Sequence, residues 1–313
     1  MPKVYIAGAK IQTGGAYMAY HIGRLLARHF GYEMVDVHLY ETGPPIFPYD
    51  TPITTMSPAE MERAITPDDL MVVNPSFSQF LFGLRLPGKK IMYIQDFRTF
   101  LLLDCHFDLY ISVSNLVARY VHALYGMTTQ VIPAFIDPPA LPITPWHSRP
   151  KGSALVYMKN PSREHKILLD VLRGRLARTA PHIDLSQVTQ GRGMPHAEFL
   201  QKLGSVRYLV NLSLAEGFGL VALEAMHMGT MVTGVDGLAG RDYMRQGENA
   251  YVGSIRDLRT LHLTIQRAFE DEALAEKCVQ GGFKTAAEYG YEPFKNAWLP
   301  HLAKLLGREP QGA

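Results

Sequence analysis

Short apolar runs alternate with longer amphipathic stretches along most of the chain. Residues 4–7 read as a short buried strand. Gly14-Gly15 then opens a run to Phe30 in which Tyr17, Tyr20, Ile22, Leu25 and Leu26 recur at helical spacing. Residues 34–40 read as the next strand. Ser57-Pro58-Ala59-Glu60 has the form of a capping box with proline at the first helical position, so a short helix is expected to start there. Strands follow over 70–74, 90–95 and 109–113. Ser114 caps a helix over 115–125, and residues 130–133 close the set. The second half restarts the alternation: a strand at 154–158, a helix capped by Ser162, a helix at 195–203, a strand at 207–213, a helix at 220–228 and a strand at 231–235. Helical runs are expected to fill 255–289.

Repeated strand–helix units predict parallel sheets with right-handed crossovers, an α/β fold of Rossmann-like domains. Pro133, Pro138, Pro139, Pro142, Pro145 and Pro150 fall between the two halves. Proline fixes φ and lacks an N–H, so this segment suits neither a helix interior nor a central strand and reads as a stiff linker. The expected organisation is an N-terminal domain over 1–139, a linker over 140–150, a second domain over 151–290 and a closing helix over 291–313. Two such domains are expected to face a central cleft, with ligands beyond the carboxyl ends of the strands.

The 313 residues are 47% hydrophobic with a formal net charge of +2, a balance that suits a globular protein and gives no footprint for nucleic acid. Cys105 and Cys278 lie far apart and match no metal spacing, so free thiols in a reducing compartment are expected. The N-terminus enters a strand without a charged-then-apolar leader. Residues 208–235 are apolar enough to span a bilayer, but Glu216, Glu224 and two glycine turns argue against that. The 12 histidines show no metal-ligand spacing.

Glu216 and Glu224 are the anomaly of the chain. They interrupt an apolar segment around the turn Gly217-Phe218-Gly219, between an incoming strand and the helix that Leu220 begins. A strand, a glycine turn and a helix start together build an anion site, because free N–H groups and the helix dipole face whatever sits above the strand end. Burying an unpaired carboxylate costs several kcal/mol, so a segment that keeps two should use them. Capping and pairing within the core would use them as well.

The literal string Glu-Gly-Phe-Gly-Leu-x-x-x-Glu-Ala-Met, with Ser213 before it and Gly229-Thr230 after it, resembles the Glu-x7-Glu signature of retaining GT-B glycosyltransferases, closest to glycosyltransferase family 4. The resemblance is dense over 205–250, moderate at 108–139 and thin elsewhere. It implies that Glu224 holds the donor's ribose and that Glu216 lies near the transferred sugar, with Gly217, Phe218, Gly219 and Leu220 against the donor. It likens Gly14-Gly15 to the glycine-rich loop of the family's first domain, although an ordinary tight turn reads the same residues. Neither a dinucleotide fingerprint nor a P-loop is present there.

After the strand at 154–158, the family carries a Gly-Arg pair and a later lysine for the leaving diphosphate. Here Met158-Lys159 replaces the pair, and Arg163 and Lys166 follow. Fixed cations at that place stabilise developing charge and can stand in for a metal. Lys159 and Arg163 are the first candidates, with a solvated basic helix start as the alternative. Gln190-Gly191-Arg192-Gly193 matches the loop that meets the nucleotide base, so Gln190 joins the donor set. In the loop after 231–235, Gly240 and Asp242 stand in for the family's glycine pair and glutamate. Tyr93–Phe97 occupies the place where many members aim a histidine or aspartate at the acceptor; Gln95 is neutral, which leaves Asp96 as a candidate to assist proton removal. A plain turn aspartate is the other reading.

The resemblance thus implies a hexosyltransferase-like enzyme that moves a sugar from a nucleotide donor to a hydroxyl acceptor with retention, for polysaccharide biosynthesis or a related task. No cofactor and no metal are expected. The partners expected are the nucleotide-sugar and a glycan, lipid-linked or small-molecule acceptor, in the cytoplasm, with peripheral contact at the inner membrane face left open. A nucleotide-sugar epimerase, a phosphorylase, or a non-catalytic nucleotide-sugar-binding partner on the same fold also stays open.

Overall fold

The structure is a computed structural model that describes residues 1–38, 46–51, 53–191 and 193–311. It divides into two compact units, Met1–Phe135 with Tyr291–Ala313, and Ile136–Gly290.

The first unit holds a parallel sheet of β1 (Lys3–Ala7), β2 (Glu33–Val37), β3 (Thr54–Met56), β4 (Leu70–Val73), β5 (Lys89–Ile94), β6 (Leu109–Ser112) and β7 (Gln130–Val131). Their order is β3-β2-β1-β4-β5-β6-β7. The central strands are buried along nearly their whole length, which is why they read as unbroken apolar runs rather than alternating ones. The helices are α1 (Gly14–Phe30), α2 (Pro58–Ala64), α3 (Phe82–Arg85) and α4 (Asn115–Tyr125). Thr13 caps α1 by accepting the Ala16 N–H at 3.2 Å, and Gly31 ends it in the left-handed conformation. The Ser57/Glu60 capping box of α2 and the Ser114 cap of α4 form as the sequence predicts.

The second unit holds β8 (Ala154–Tyr157), α5 (Arg163–Thr179), β9 (Val188–Thr189), α6 (His196–Gly204), β10 (Tyr208–Asn211), α7 (Leu220–His227), β11 (Met231–Val235), β12 (Tyr251–Gly253), α8 (Leu261–Glu270) and α9 (Glu272–Glu288). Its parallel sheet runs β12-β11-β10-β8-β9. Trp146 lies in the same apolar core as Val156, Leu172, Tyr208, Val210 and Ile265. The last helix, α10 (Tyr291–Leu306), belongs to the first unit. There Trp298 is fully buried and meets the Tyr93 ring edge-on at 5.3 Å.

The proline-rich segment is more than a linker. The division falls after Phe135, and the segment's end packs into the second unit. The Trp146 indole N–H donates to Arg207 O at 2.9 Å, and the Arg207 guanidinium lies 4.7 Å from the Trp146 ring centre. Buried Arg149 donates to Thr144 O, Val206 O, Met228 O and Thr230 Oγ1. Proline excluded helix and strand from this stretch but left its tryptophan and arginine free to pack. The helical run begins at Leu261 rather than 255, because 254–260 forms a turn tied by Asp257 N–H to Ser254 O. The strand expected over 34–40 ends at Val37; Tyr40 lies outside the described residues.

Candidate functional site

Glu216 sits in a loop that the ends of three strands hold in common, and Glu224 follows it on α7. At the end of β10, Asn211 donates to Val235 O at 2.8 Å and accepts the Ser213 N–H at 3.1 Å. Gly234 of β11 has φ +100, and a Cβ there would collide with the Asn211 backbone, so the two strands approach closely because Gly234 has no side chain. Buried Ser213 in turn accepts the Lys159 N–H at 2.9 Å, which ties in the loop after β8. The Glu216 N–H donates to Gly237 O at 2.9 Å, which ties in the loop after β11.

That framework sets Glu216 against Lys159. Glu216 Oε2 lies 3.5 Å from Lys159 Nζ, with the carboxylate side chain 6% exposed and the ammonium 39%. A carboxylate this buried needs a cation, and Lys159 supplies it from the neighbouring strand end. The glycine turn follows. Gly219 has φ +96 and serves as the N-cap of α7. Its carbonyl accepts the Tyr243 hydroxyl at 2.6 Å. The Phe218, Tyr243 and Tyr289 rings pack together at centroid separations of 5.5–5.7 Å beneath the turn. Burial, reinforced by Glu216, holds the Tyr243 phenol well above its ordinary pKa, so it remains a donor.

Glu224 stands in the second turn of α7, buried, with Oε1 2.8 Å from His196 Nε2 at the start of α6; both side chains are 10% exposed. His227, one turn on, has its pKa lowered by burial, partly offset by the negative charge of Glu224.

The other sequence candidates fall into three groups. Arg163 and Lys166 are exposed on the first turn of α5, and among the described residues no hydrogen bond or ion pair joins either to Glu216, Glu224 or the glycine turn. Gln190 is exposed in the loop after β9, whose Gly191 packs against Phe199 and Tyr157; Arg192 lies outside the described residues. In the first unit, Gly14 and Gly15 begin α1 rather than a loop. A Cβ at Gly15 would collide with Gln95 Oε1, and Gln95 Nε2 donates to Gly15 O at 3.0 Å. The space that Gly15 leaves is thus used by Gln95. Asp96 Oδ1 accepts the Phe97 and Arg98 N–H groups at 2.7 and 3.1 Å, the bonding of a turn aspartate, so that oxygen is engaged locally.

Sequence reasoning missed His196 and Tyr243. No motif spacing links His196 to Glu224, 28 residues away. Tyr243 lay inside a loop already singled out, but only the fold turns its hydroxyl under Gly219.

Residues 193–285 match the model of the family described as glycosyl transferases group 1, a stretch that contains Glu216, Glu224, His196 and Tyr243. No curated protein matches the chain. Among solved structures, the chain is similar to a glycosyltransferase from Rickettsia africae ESF-5 at TM-score 0.69 and 13% identity, over 100% of this chain and 99% of that one. It is similar to sucrose-phosphate synthase from Thermosynechococcus elongatus at 0.66 and 13%, over 98% and 100%. It is also similar to S. aureus TarM in complex with Fondaparinux, alpha-GlcNAc-glycerol and UDP, at 0.61 and 13%, over 77% of this chain; it spans only 57% of the TarM chain. At such identities these likenesses establish the fold, which is GT-B. Residues 193–285 of the second unit therefore match the glycosyl transferases group 1 model, within a chain whose fold is GT-B.

Proposed function

We propose that the chain transfers a sugar from a nucleoside-diphosphate sugar to a hydroxyl acceptor with retention of anomeric configuration. The observation that carries this reading is the Lys159–Glu216 pair beside the glycine turn at the ends of β8 and β10. An ammonium and a carboxylate side by side suit a donor whose leaving group is anionic and whose sugar becomes cationic. In this reading Lys159 meets the diphosphate, helped by Arg163 and Lys166 as the donor seats. Glu216 holds a sugar hydroxyl and offsets positive charge at the anomeric carbon. Glu224, oriented by His196, takes the ribose hydroxyls, and Gln190 stands near the base. The amide groups of Gly217, Phe218, Gly219 and Leu220 face the diphosphate at the α7 start. The glycosidic C–O bond breaks with its electron pair on the diphosphate oxygen. The acceptor oxygen bonds to the same face of the anomeric carbon, and its proton passes to the departing diphosphate. Asp96 is left to its turn.

The acceptor is assigned to the first unit and its class stays general: a glycan, a lipid-linked sugar or a small molecule. The enzyme is expected to work in the cytoplasm, without a metal, because the lysine and arginine side chains supply positive charge at the diphosphate. That TarM was solved with UDP supports a uridine donor as the first to try. The test is a thermal-shift screen of UDP-, GDP-, ADP- and TDP-sugars, since a ligand bound to the folded state alone raises apparent stability. The best donor is then followed to product by proton NMR. The reading predicts one stabilising nucleotide class, a product with the donor's anomeric configuration, and full activity in EDTA. An inverted product, or activity abolished by EDTA and restored by manganese, would overturn retention or the metal-free mechanism.

A further inference from the structure

The helix that the proposed reading sets at the diphosphate starts without the usual support. α7 has 8 residues, and its N-cap, Gly219, has no side chain to take up a free N–H. Gly219 stands at φ +96 and ψ +58, where a glycine peptide turns readily. In a helix this short the first intrahelical bond frays and cannot hold the Gly219 carbonyl alone. A peptide unit is planar and trans, so its C=O and N–H point in opposite directions. The orientation of the Gly219–Leu220 unit therefore decides whether a ligand above the turn meets the Leu220 N–H or a carbonyl oxygen. The first attracts an anion and the second repels it.

Tyr243 acts on this unit. Its hydroxyl donates to Gly219 O at 2.6 Å. The phenol has one proton to give, and burial, with Glu216 next, keeps it in place by holding the pKa well above its ordinary value. Gly219 leaves the hydroxyl room: a Cβ there would stand 3.1 Å from Tyr243 Oη and 3.9 Å from the Glu216 carboxyl carbon. Tyr243 is itself held from behind. Buried Asn249 donates to Tyr243 O at 2.8 Å and to Thr285 Oγ1 of α9 at 2.7 Å, and it accepts the Arg245 N–H at 2.6 Å. A line of hydrogen bonds thus runs from α9 through Asn249 and Tyr243 to the turn. Phenylalanine would fill the same ring cluster; what tyrosine adds is the bond to Gly219.

We infer that Tyr243 is a positioning residue for the diphosphate site: its hydroxyl pins the Gly219 carbonyl on the side of the ring cluster, which turns the Leu220 N–H towards the donor and keeps the peptide from flipping. This rests on the reading of the α7 start as the diphosphate site and adds to that site a residue 24 positions away in sequence.

The test is Tyr243→Phe, which keeps the ring and removes the bond; unchanged far-UV circular dichroism confirms that it folds. Calorimetry with the nucleoside diphosphate selected by the donor screen should give an affinity about threefold to tenfold lower. Turnover at saturating donor should fall at least about tenfold, because leaving-group charge grows in the transition state. Affinity for the matching nucleoside, which carries no phosphate, should stay the same. Equal losses for nucleoside and diphosphate would mean a general loosening of the second unit and would overturn the inference. Unchanged diphosphate affinity and turnover would do so as well. A second measurement needs only the wild type. With leucine amides isotopically labelled, the Leu220 resonance should shift on addition of the diphosphate and stay in place on addition of the nucleoside. Diphosphate binding that leaves the Leu220 amide unmoved overturns the inference while the sugar-transfer reading stands. If no nucleoside diphosphate binds the wild type, that reading falls and the inference falls with it.

Discussion

Lys159 Nζ stands 3.5 Å from Glu216 Oε2, and so the two residues in the domain best suited to meet opposite charges of a breaking glycosidic bond neutralise one another before any donor arrives. The pairing has a cost and a use. It gives a nearly buried carboxylate a cationic partner in an apolar loop, and it holds the ammonium at the strand ends, where the proposed diphosphate would compete for it.

Lys159→Met should separate these two effects. Removing the cation leaves the Glu216 charge uncompensated, but Lys159 is more than a third exposed and water screens part of the loss, so the expected destabilisation is about 1–2 kcal/mol. Turnover should fall much further than donor affinity, because the diphosphate charge grows in the transition state. Urea denaturation with steady-state kinetics checks both; equal losses in turnover and donor affinity would remove Lys159 from the leaving-group role.

Glu224→Gln should weaken nucleotide diphosphate binding by about ten- to a hundred-fold, the value of a charged hydrogen bond of roughly 1.5–3 kcal/mol. His196→Ala should give a smaller loss, since it frees the carboxylate to turn without removing it. Calorimetric titration with the nucleotide decides the matter, and an unchanged dissociation constant in Glu224→Gln would refute the ribose assignment.

Acid stability of the first unit should depend on His21. Burial, with the Arg24 charge next, lowers its pKa from 6.5 to about 3 in the fold. The unfolded chain therefore binds a proton that the native state refuses, and stability should fall as pH drops from about 6.5 towards 3. His21→Gln should flatten that decline relative to wild type in denaturant titrations across the range. A parallel decline in the two proteins would show that other groups govern it.

Arg149 should be among the most damaging positions outside the candidate site. Its donors satisfy carbonyls of Thr144, Val206 and Met228 and the hydroxyl of Thr230. Arg149→Met strands them in the interior, at about 3 kcal/mol or more. A fall in Tm of only a degree or two would contradict this.

Much of the fold was legible because buried parallel strands are plain apolar runs and because Thr13, Ser57 and Ser114 announce helix starts with side chains that accept the first free N–H groups. Short edge strands were not. Thr54–Met56 is three residues, largely exposed, and Val188–Thr189 only two, so neither leaves a hydrophobic signature. In the site, Glu216, Glu224 and the glycine turn were legible because carboxylates are anomalous in an apolar run. The contacts that orient them were not, since His196 reaches Glu224 from the start of α6 and Tyr243 reaches Gly219 from the loop after β11. Lys159 and Glu216 were each singled out for separate duties; that they touch is a property of the parallel register of β8 and β10, in which Asn211 lies beside Tyr157.

The most direct test of the proposed mechanism is a paired measurement on Glu216→Gln. The substitution keeps the shape of the side chain, removes its charge and frees Lys159 for the diphosphate. Nucleotide diphosphate affinity, by calorimetry, should hold or rise slightly. Sugar transfer, by product formation at saturating donor, should fall at least about a hundred-fold, or roughly 2.7 kcal/mol of barrier. Near-normal transfer, or a loss of nucleotide affinity matching the loss of transfer, would contradict the placement of Glu216 at the transferred sugar.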